Sequence, residues 1–227
     1  MGEDRYQRIY RCEAELYEAL VGCEDCEGNL LPALAAAADL GGDLVEFGAG
    51  TGRLTRLLAP VACSVRAFDA SPAMLAVARR RLAPEVRLAA ALNHALPVRT
   101  ASADLALAGW SFGHATGWNP GGWREEIDRC LAELRRVLRP GGRALVIETL
   151  GTGRTEPEPP TAALADYYAR LEAAGFSLAW IRTDYRFPSR AEGDRLCRAF
   201  FGTGFPLRPD GDAWRLPECT GIWTLRT

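Results

Sequence analysis

Gly48, Gly50 and Gly52 alternate directly behind the apolar run Leu44–Phe47, which carries one acid, Glu46. Glycine has no Cβ, so such a loop can turn sharply and press its peptide groups against a ligand. A second acid, Asp69, follows Gly48 by 21 residues. That is close to the ~20-residue spacing at which a carboxylate grips ribose hydroxyls behind a glycine-rich turn. Asp69 and Ser71 ahead of Pro72 also fit a helix start, but the acid and the loop together favour a nucleoside ligand. Of the two histidines, His114 is a candidate general base, because an imidazole titrates near neutral pH. Glu148 is a second base candidate. His94 reads as structural or adjacent to the nucleoside.

Two nucleoside classes compete for the loop. A nicotinamide dinucleotide wants G-x-G-x-x-G with its pyrophosphate on the following helix. Here the pattern is E-x-G-x-G-x-G, with Arg53 where the third dinucleotide glycine would fall. S-adenosylmethionine has no phosphate to cradle; its ammonium would be served by Glu46, directly or through water.

Composition narrows the field. All 27 basic residues are arginine and none is lysine, which excludes Schiff-base aldolases, pyridoxal-phosphate anchors and Walker-type phosphate lysines. Seven cysteines, an odd number in a chain with no signal-peptide pattern at its start, argue against a disulfide framework. The lone Cys23-x-x-Cys26 lacks the second pair a structural zinc would want, so no metal is expected. A formal net charge of -2 gives no attraction to nucleic acid or acidic membranes. No apolar run approaches the ~20 residues of a membrane span. A cytoplasmic protein is expected.

These residues must be held by alternating elements. Helices are predicted over Arg5–Val21, Asn29–Asp39, Arg53–Leu58, Pro72–Leu82, Trp123–Leu138, Thr161–Ala174 and Arg190–Phe201. The helix Trp123–Leu138 carries the stripe Ile127, Leu131, Leu134, Leu138. Strands are predicted over Asp43–Phe47, Ser64–Phe68, Val86–Ala89, Ala103–Ala108, Ala144–Thr149, Ser177–Phe187 and Cys219–Leu225, with Pro140-Gly141-Gly142 as a turn. Such alternation implies an α/β fold with a mostly parallel, doubly wound sheet covered by helices on both faces. One domain is expected: residues 1–40 as a helical lid, 43–150 as a nucleoside-binding core, and 151–227 completing the sheet.

"LVEFGAGTGRLT", "AFDASPAMLAVAR", "HALPV", "ADLALAGWSFGHA" and "RRVLRPGGRALVIE" occur in order. Together they resemble class I S-adenosylmethionine-dependent methyltransferases, particularly the small-molecule branch similar to ubiquinone and menaquinone biosynthesis methyltransferases. The resemblance implies a Rossmann-like seven-stranded sheet with an antiparallel last strand. It implies Glu46, Gly48, Gly50 and Gly52 on the methionine and ribose side, Asp69 on the ribose, and Ala70 and Met74 around the adenine. The acid often found where Leu92 stands is missing, so Asn93 or a backbone carbonyl would serve the adenine amine. Gly109 and Trp110 would floor the reactive methyl.

The stretch "GWSFGHATGWNPGGW" is rich in tryptophan and glycine. Trp110 and Trp118, with Tyr6 and Tyr10 from the first helix, are expected to wall an acceptor pocket; Thr183–Phe187 is a further candidate wall. The expected activity is methyl transfer to a small-molecule acceptor, with S-adenosylmethionine as cofactor and with no nucleic-acid partner. A homodimer is one assembly open to such a chain. The competing readings are a nicotinamide-dependent oxidoreductase and a non-catalytic, methyltransferase-like binding subunit.

Overall fold

The computed structural model describes residues 5–227. Two short helices, α1 (Arg5–Cys12) and α2 (Ala14–Val21), precede α3 (Leu30–Ala37). Then come β1 (Asp43–Phe47), α4 (Arg53–Leu58), β2 (Ser64–Asp69), α5 (Pro72–Arg81), β3 (Arg87–Ala90) and β4 (Ala103–Gly109). After a 3₁₀ turn at Phe112–His114 follow α6 (Ala115–Trp118), α7 (Trp123–Val137), β5 (Leu138–Thr152) and α8 (Ala162–Ala173). The chain ends with β6 (Ser177–Arg182), β7 (Tyr185–Phe187), α9 (Arg190–Phe201), β8 (Arg208–Asp210), β9 (Ala213–Leu216) and β10 (Glu218–Arg226).

Seven strands form one sheet in the order β3-β2-β1-β4-β5-β10-β6. β1 pairs in parallel with both β2 and β4. β10 is antiparallel to both neighbours, β5 and β6, so the last strand in the chain is inserted inside the sheet. Successive residues of each central strand feed opposite faces. Leu44, Leu105, Leu107, Leu145 and Ile147 pack with Leu30, Leu34, Leu54 and Leu58 of α3 and α4. Val45, Ala106, Ala108 and Val146 pack with Ile127, Leu131 and Leu134 of α7 and with Tyr167 and Leu171 of α8. Burial on both faces explains why these strands are apolar throughout rather than alternating.

Strand order reverses between β1 and β4, and in open α/β sheets a ligand crevice opens at such a reversal, beyond the strands' carboxyl ends. The glycine loop leaves β1 there, and Gly109-Trp110 leaves β4 beside it.

Three expectations change. The first helix breaks at Glu13 (φ −127°, ψ 36°), giving α1 and α2. Pro140-Gly141-Gly142 lies inside β5 as an irregularity against β4, not as a turn before it. The long strand Ser177–Phe187 stops after Arg182 because Asp184 turns inward. It takes the Arg182 guanidinium at 2.7 Å and the Glu218 amide at 3.0 Å. β7 then joins a separate three-stranded sheet in the order β7-β9-β8. That small sheet and α9 form an apolar cluster with α1 and α2, through Ile9, Leu20, Tyr185, Phe187, Leu196 and Leu216. The C-terminal segment thus props the helices that stand over the crevice.

Candidate active site

The glycine loop is left-handed at each glycine: φ is +64° at Gly48, +57° at Gly50 and +85° at Gly52. Two of the three face the crevice. A Cβ on Gly48 would lie 1.9 Å from Ser111 Oγ, and one on Gly50 would touch Tyr17 and Met74 at 3.6 and 3.7 Å. Gly52 serves the fold instead, since its Cβ would strike Leu82 of the segment after α5 at 2.8 Å. Asp69 ends β2 and brackets the loop. Its Oδ2 accepts the Gly50 amide at 2.8 Å and its Oδ1 the Ser71 amide at 2.7 Å. Burial pushes its carboxyl up, and those two amide bonds oppose the shift.

Around this bracket lies a cleft of about 390 Å³ lined by Gly48, Gly50, Asp69, Ala70, Met74, Asn93 and Gly109, among others. Asn93 Nδ2 donates to Ser111 Oγ at 2.8 Å on its wall. A second cavity of about 520 Å³ is walled by Tyr6, Thr116, Glu148, Leu164, Tyr185 and Phe200, among others. Tyr10, Tyr17, Trp110, His114 and Trp118 line both spaces. The two cavities therefore meet at one aromatic ring of residues.

Trp110 holds φ +47°, a strained conformation for a bulky residue and one typical of functional sites. His114 stacks on Trp118 at 4.6 Å, and its Nε2 lies 2.9 Å from the Tyr10 hydroxyl, in hydrogen-bond contact. Burial keeps Tyr10 protonated by raising its pKa well above the usual value. Glu148 accepts the Gly113 amide at 2.9 Å and the Tyr167 hydroxyl at 3.3 Å. Burial pushes its pKa up to about 7.

Three expected site residues stand elsewhere. Gly52 faces α5. Leu92 points outward, 54% exposed, and its carbonyl takes the Ala95 amide at 2.9 Å. Glu46 is 2% exposed and lines neither cavity; its Oε2 accepts the Thr55 hydroxyl at 2.5 Å. Glu46 was expected to serve the ammonium directly or through water; in this structure its carboxyl bonds to α4. Tyr17, Ser111, Arg53 and Glu218 were not among the expected site residues. Tyr17 shares the face of Tyr6 and Tyr10, and that spacing was its only signal. Cys23 and Cys26 are unpaired, and no metal-binding cluster exists among the described residues. No helix there is long and apolar enough to cross a membrane.

Glu46 carries a testable consequence. Loss of water on burial pushes its pKa up to about 8, against the Thr55 bond. The folded protein thus keeps a proton that the unfolded chain releases near pH 4.5. Stability from this site falls as pH rises from there toward 8, because the unfolded state then binds fewer protons. Glu46→Gln keeps an acceptor for Thr55 and removes the titration. Its Tm should exceed that of the wild type by several degrees at pH 8, for about 1–2 kcal/mol, and by much less at pH 5. Scanning calorimetry at the two pH values checks this; an equal shift at both sinks it.

The sheet order, the glycine loop at the reversal and the acid at the end of β2 define a class I methyltransferase fold. Residues 45–146 match the family described as Methyltransferase domain. A ubiquinone/menaquinone biosynthesis C-methyltransferase from Rubrivivax gelatinosus is 33% identical over 113 residues, 50% of this chain and 41% of that protein. A malonyl-[acyl-carrier protein] O-methyltransferase from Hahella chejuensis is 32% identical over 147 residues, 63% of this chain and 48% of that protein. The match thus spans less than half the length of these relatives. The structure of the DhpI–SAH complex shares the fold with a TM-score of 0.56 at 20% identity, over 98% of this chain and 95% of that one.

Proposed function

We propose that the protein binds S-adenosylmethionine in the smaller cleft and methylates a small, largely apolar or aromatic molecule in the larger cavity, releasing S-adenosylhomocysteine. The observation that carries this reading is the shared aromatic ring: ligands in the two spaces would touch only across Tyr10, Tyr17, Trp110, His114 and Trp118.

The cleft suits the nucleoside. The bare Cα atoms of Gly48 and Gly50 leave room that a side chain would fill. Each Asp69 oxygen uses one backbone amide and keeps a lone pair for a ribose hydroxyl. Met74 and Ala70 offer apolar contact to a base, and Asn93 offers an amide beside it. The bound sulfonium supplies an already activated methyl group. The chain's task is then to align the acceptor and exclude water, and the aromatic ring together with α1 and α2 as a lid is suited to both.

For a hydroxylated acceptor, the pair Tyr10–His114 can take the proton. With Tyr10 donating to His114 Nε2, its oxygen is free to accept from the acceptor hydroxyl, and the two protons shift together toward the imidazole. Glu148 faces the same cavity and orders the turn that presents His114 through the Gly113 amide. Seven unpaired cysteines suit a reducing, cytoplasmic setting.

Calorimetric titration with S-adenosylmethionine, S-adenosylhomocysteine and NAD tests the cofactor. Micromolar binding of the first two and none of NAD is expected. NAD binding alone would turn the reading toward the oxidoreductase. Cofactor binding without turnover of any phenolic or aliphatic acceptor would turn it toward a non-catalytic subunit.

A further inference from the structure

At the amino ends of β1, β2 and β3, the far end of the sheet from the glycine loop, lies a third space. It is a groove of about 1020 Å³ that shares no lining residue with either cavity of the candidate active site. Six arginines line it against two acids, Asp43 and Glu85. The excess is local, because the chain as a whole carries a net charge of -2.

Three of the six arginines are answered. Arg139 pairs with Asp43 at 2.8 Å and with Asp104 at 2.7 Å. Arg56 and Arg81 reach Glu18 of α2 at 3.3 and 3.0 Å. Arg66, Arg87 and Arg99 form no ion pair among the described residues, and they converge on one stretch of the groove. Arg66 of β2 and Arg87 of β3 are register partners on adjacent parallel strands, which lie about 5 Å apart. Like charges placed opposite one another in this way destabilise a sheet. Arg66 donates to the Ser102 carbonyl at 2.6 Å and to its Oγ at 3.2 Å, and that Oγ donates to the Arg99 carbonyl at 2.7 Å. Two hydrogen bonds therefore tie the Arg99 backbone to the Arg66 guanidinium. Partial burial lowers the Arg66 pKa; Asp43 opposes the shift, and the positive charges of Arg139 and Arg87 add to it. Arg87 and Arg99 are both exposed, so their guanidinium groups are open to a ligand.

We propose that this groove is a binding site for a compact polyanion of the oligophosphate kind, gripped by Arg87 and Arg99 over the fixed charge of Arg66. Guanidinium forks match phosphate oxygens two at a time. One fork comes from β3 and the other from the segment before β4, so neighbouring phosphates of one chain can each meet a fork. The bound charge also relieves the repulsion between Arg66 and Arg87. The site stands apart from the methyl-transfer reading and does not depend on it.

Calorimetric titration with tripolyphosphate, orthophosphate and ATP tests the site, with and without saturating S-adenosylhomocysteine. Tripolyphosphate should bind one site with Kd below about 0.1 mM at about 0.1 M salt, and orthophosphate at least about tenfold more weakly. The double variant Arg87→Gln/Arg99→Gln should lose about tenfold or more in tripolyphosphate affinity. Arg208→Gln/Arg226→Gln removes the same charge from exposed positions outside the groove and should stay within about twofold of the wild type. An unchanged Tm in both variants would show that they fold. ATP equal to tripolyphosphate would make the phosphate chain the whole of the recognised group, and tighter ATP would add a nucleoside to it; either result keeps the site. No saturable binding, equal affinity for orthophosphate, or an equal loss in the two double variants overturns it. So does competition with S-adenosylhomocysteine, which would put the anion in the smaller cleft. Failure of S-adenosylhomocysteine itself to bind would count against the methyltransferase reading and leave the groove standing.

Discussion

Asp69→Ala should weaken S-adenosylhomocysteine binding by a hundredfold or more while leaving the fold intact. The carboxylate lines the smaller cleft with one lone pair on each oxygen not taken by the amides of Gly50 and Ser71. Hydrogen bonds to a charged group are worth about 1.5–3 kcal/mol each. Losing two of them costs roughly 3–5 kcal/mol, which is at least two decades in Kd. The substitution also releases the Gly50 amide, so the loop loses the bracket that shapes it. Asp69→Asn keeps the size and one acceptor oxygen and should fall between the two. Calorimetric titration of all three proteins decides the matter: wild-type affinity in Asp69→Ala would remove the ribose assignment.

His114→Ala should lower kcat toward a hydroxylated acceptor by about 10²–10⁴, the usual contribution of a positioned general base. S-adenosylhomocysteine affinity should stay within a few fold. Tyr10→Phe should lower kcat similarly, because His114 Nε2 and the Tyr10 hydroxyl form one contact of 2.9 Å. The two losses should not add in the double variant, as expected of groups that act as a unit. Added imidazole should restore part of the rate in His114→Ala, a response that a merely structural role would not give. Wild-type turnover in His114→Ala would retire the imidazole as the base and leave Glu148, whose pKa near 7 and place on the same cavity suit the task.

The core of the fold was legible because its elements are repetitive. β1, α4 and α9 stand at the expected bounds, and the reversal of strand order puts Gly48, Gly50 and Asp69 around one cleft as their spacing implied. Aromatic spacing on α1 put Tyr6 and Tyr10 near one face, and both line the second cavity. What could not be read is side-chain direction. Glu46 alternates with Val45 and Phe47 on β1, and nothing local says that its carboxyl meets Thr55 of α4. Arg53 counted only as a mismatch in the loop, because its contacts with Trp110 and Glu24 join residues far apart in the chain. The small sheet was missed for a related reason. β7 and β8 are three residues each, too short for periodicity to register.

The placement of β10 also bears on how the protein is made. Residues 218–226 occupy an interior position between β5 and β6, although both neighbours are synthesised earlier. Until that segment leaves the ribosome, β5 and β6 each present an open hydrogen-bonding edge to solvent, and such edges invite pairing with other chains. Completion of the sheet must await contacts between residues as distant as Arg143 and Arg226, which slows folding. Chaperone dependence and yield in cells should therefore respond most sharply to changes in β10, a strand none of whose residues lines the smaller cleft.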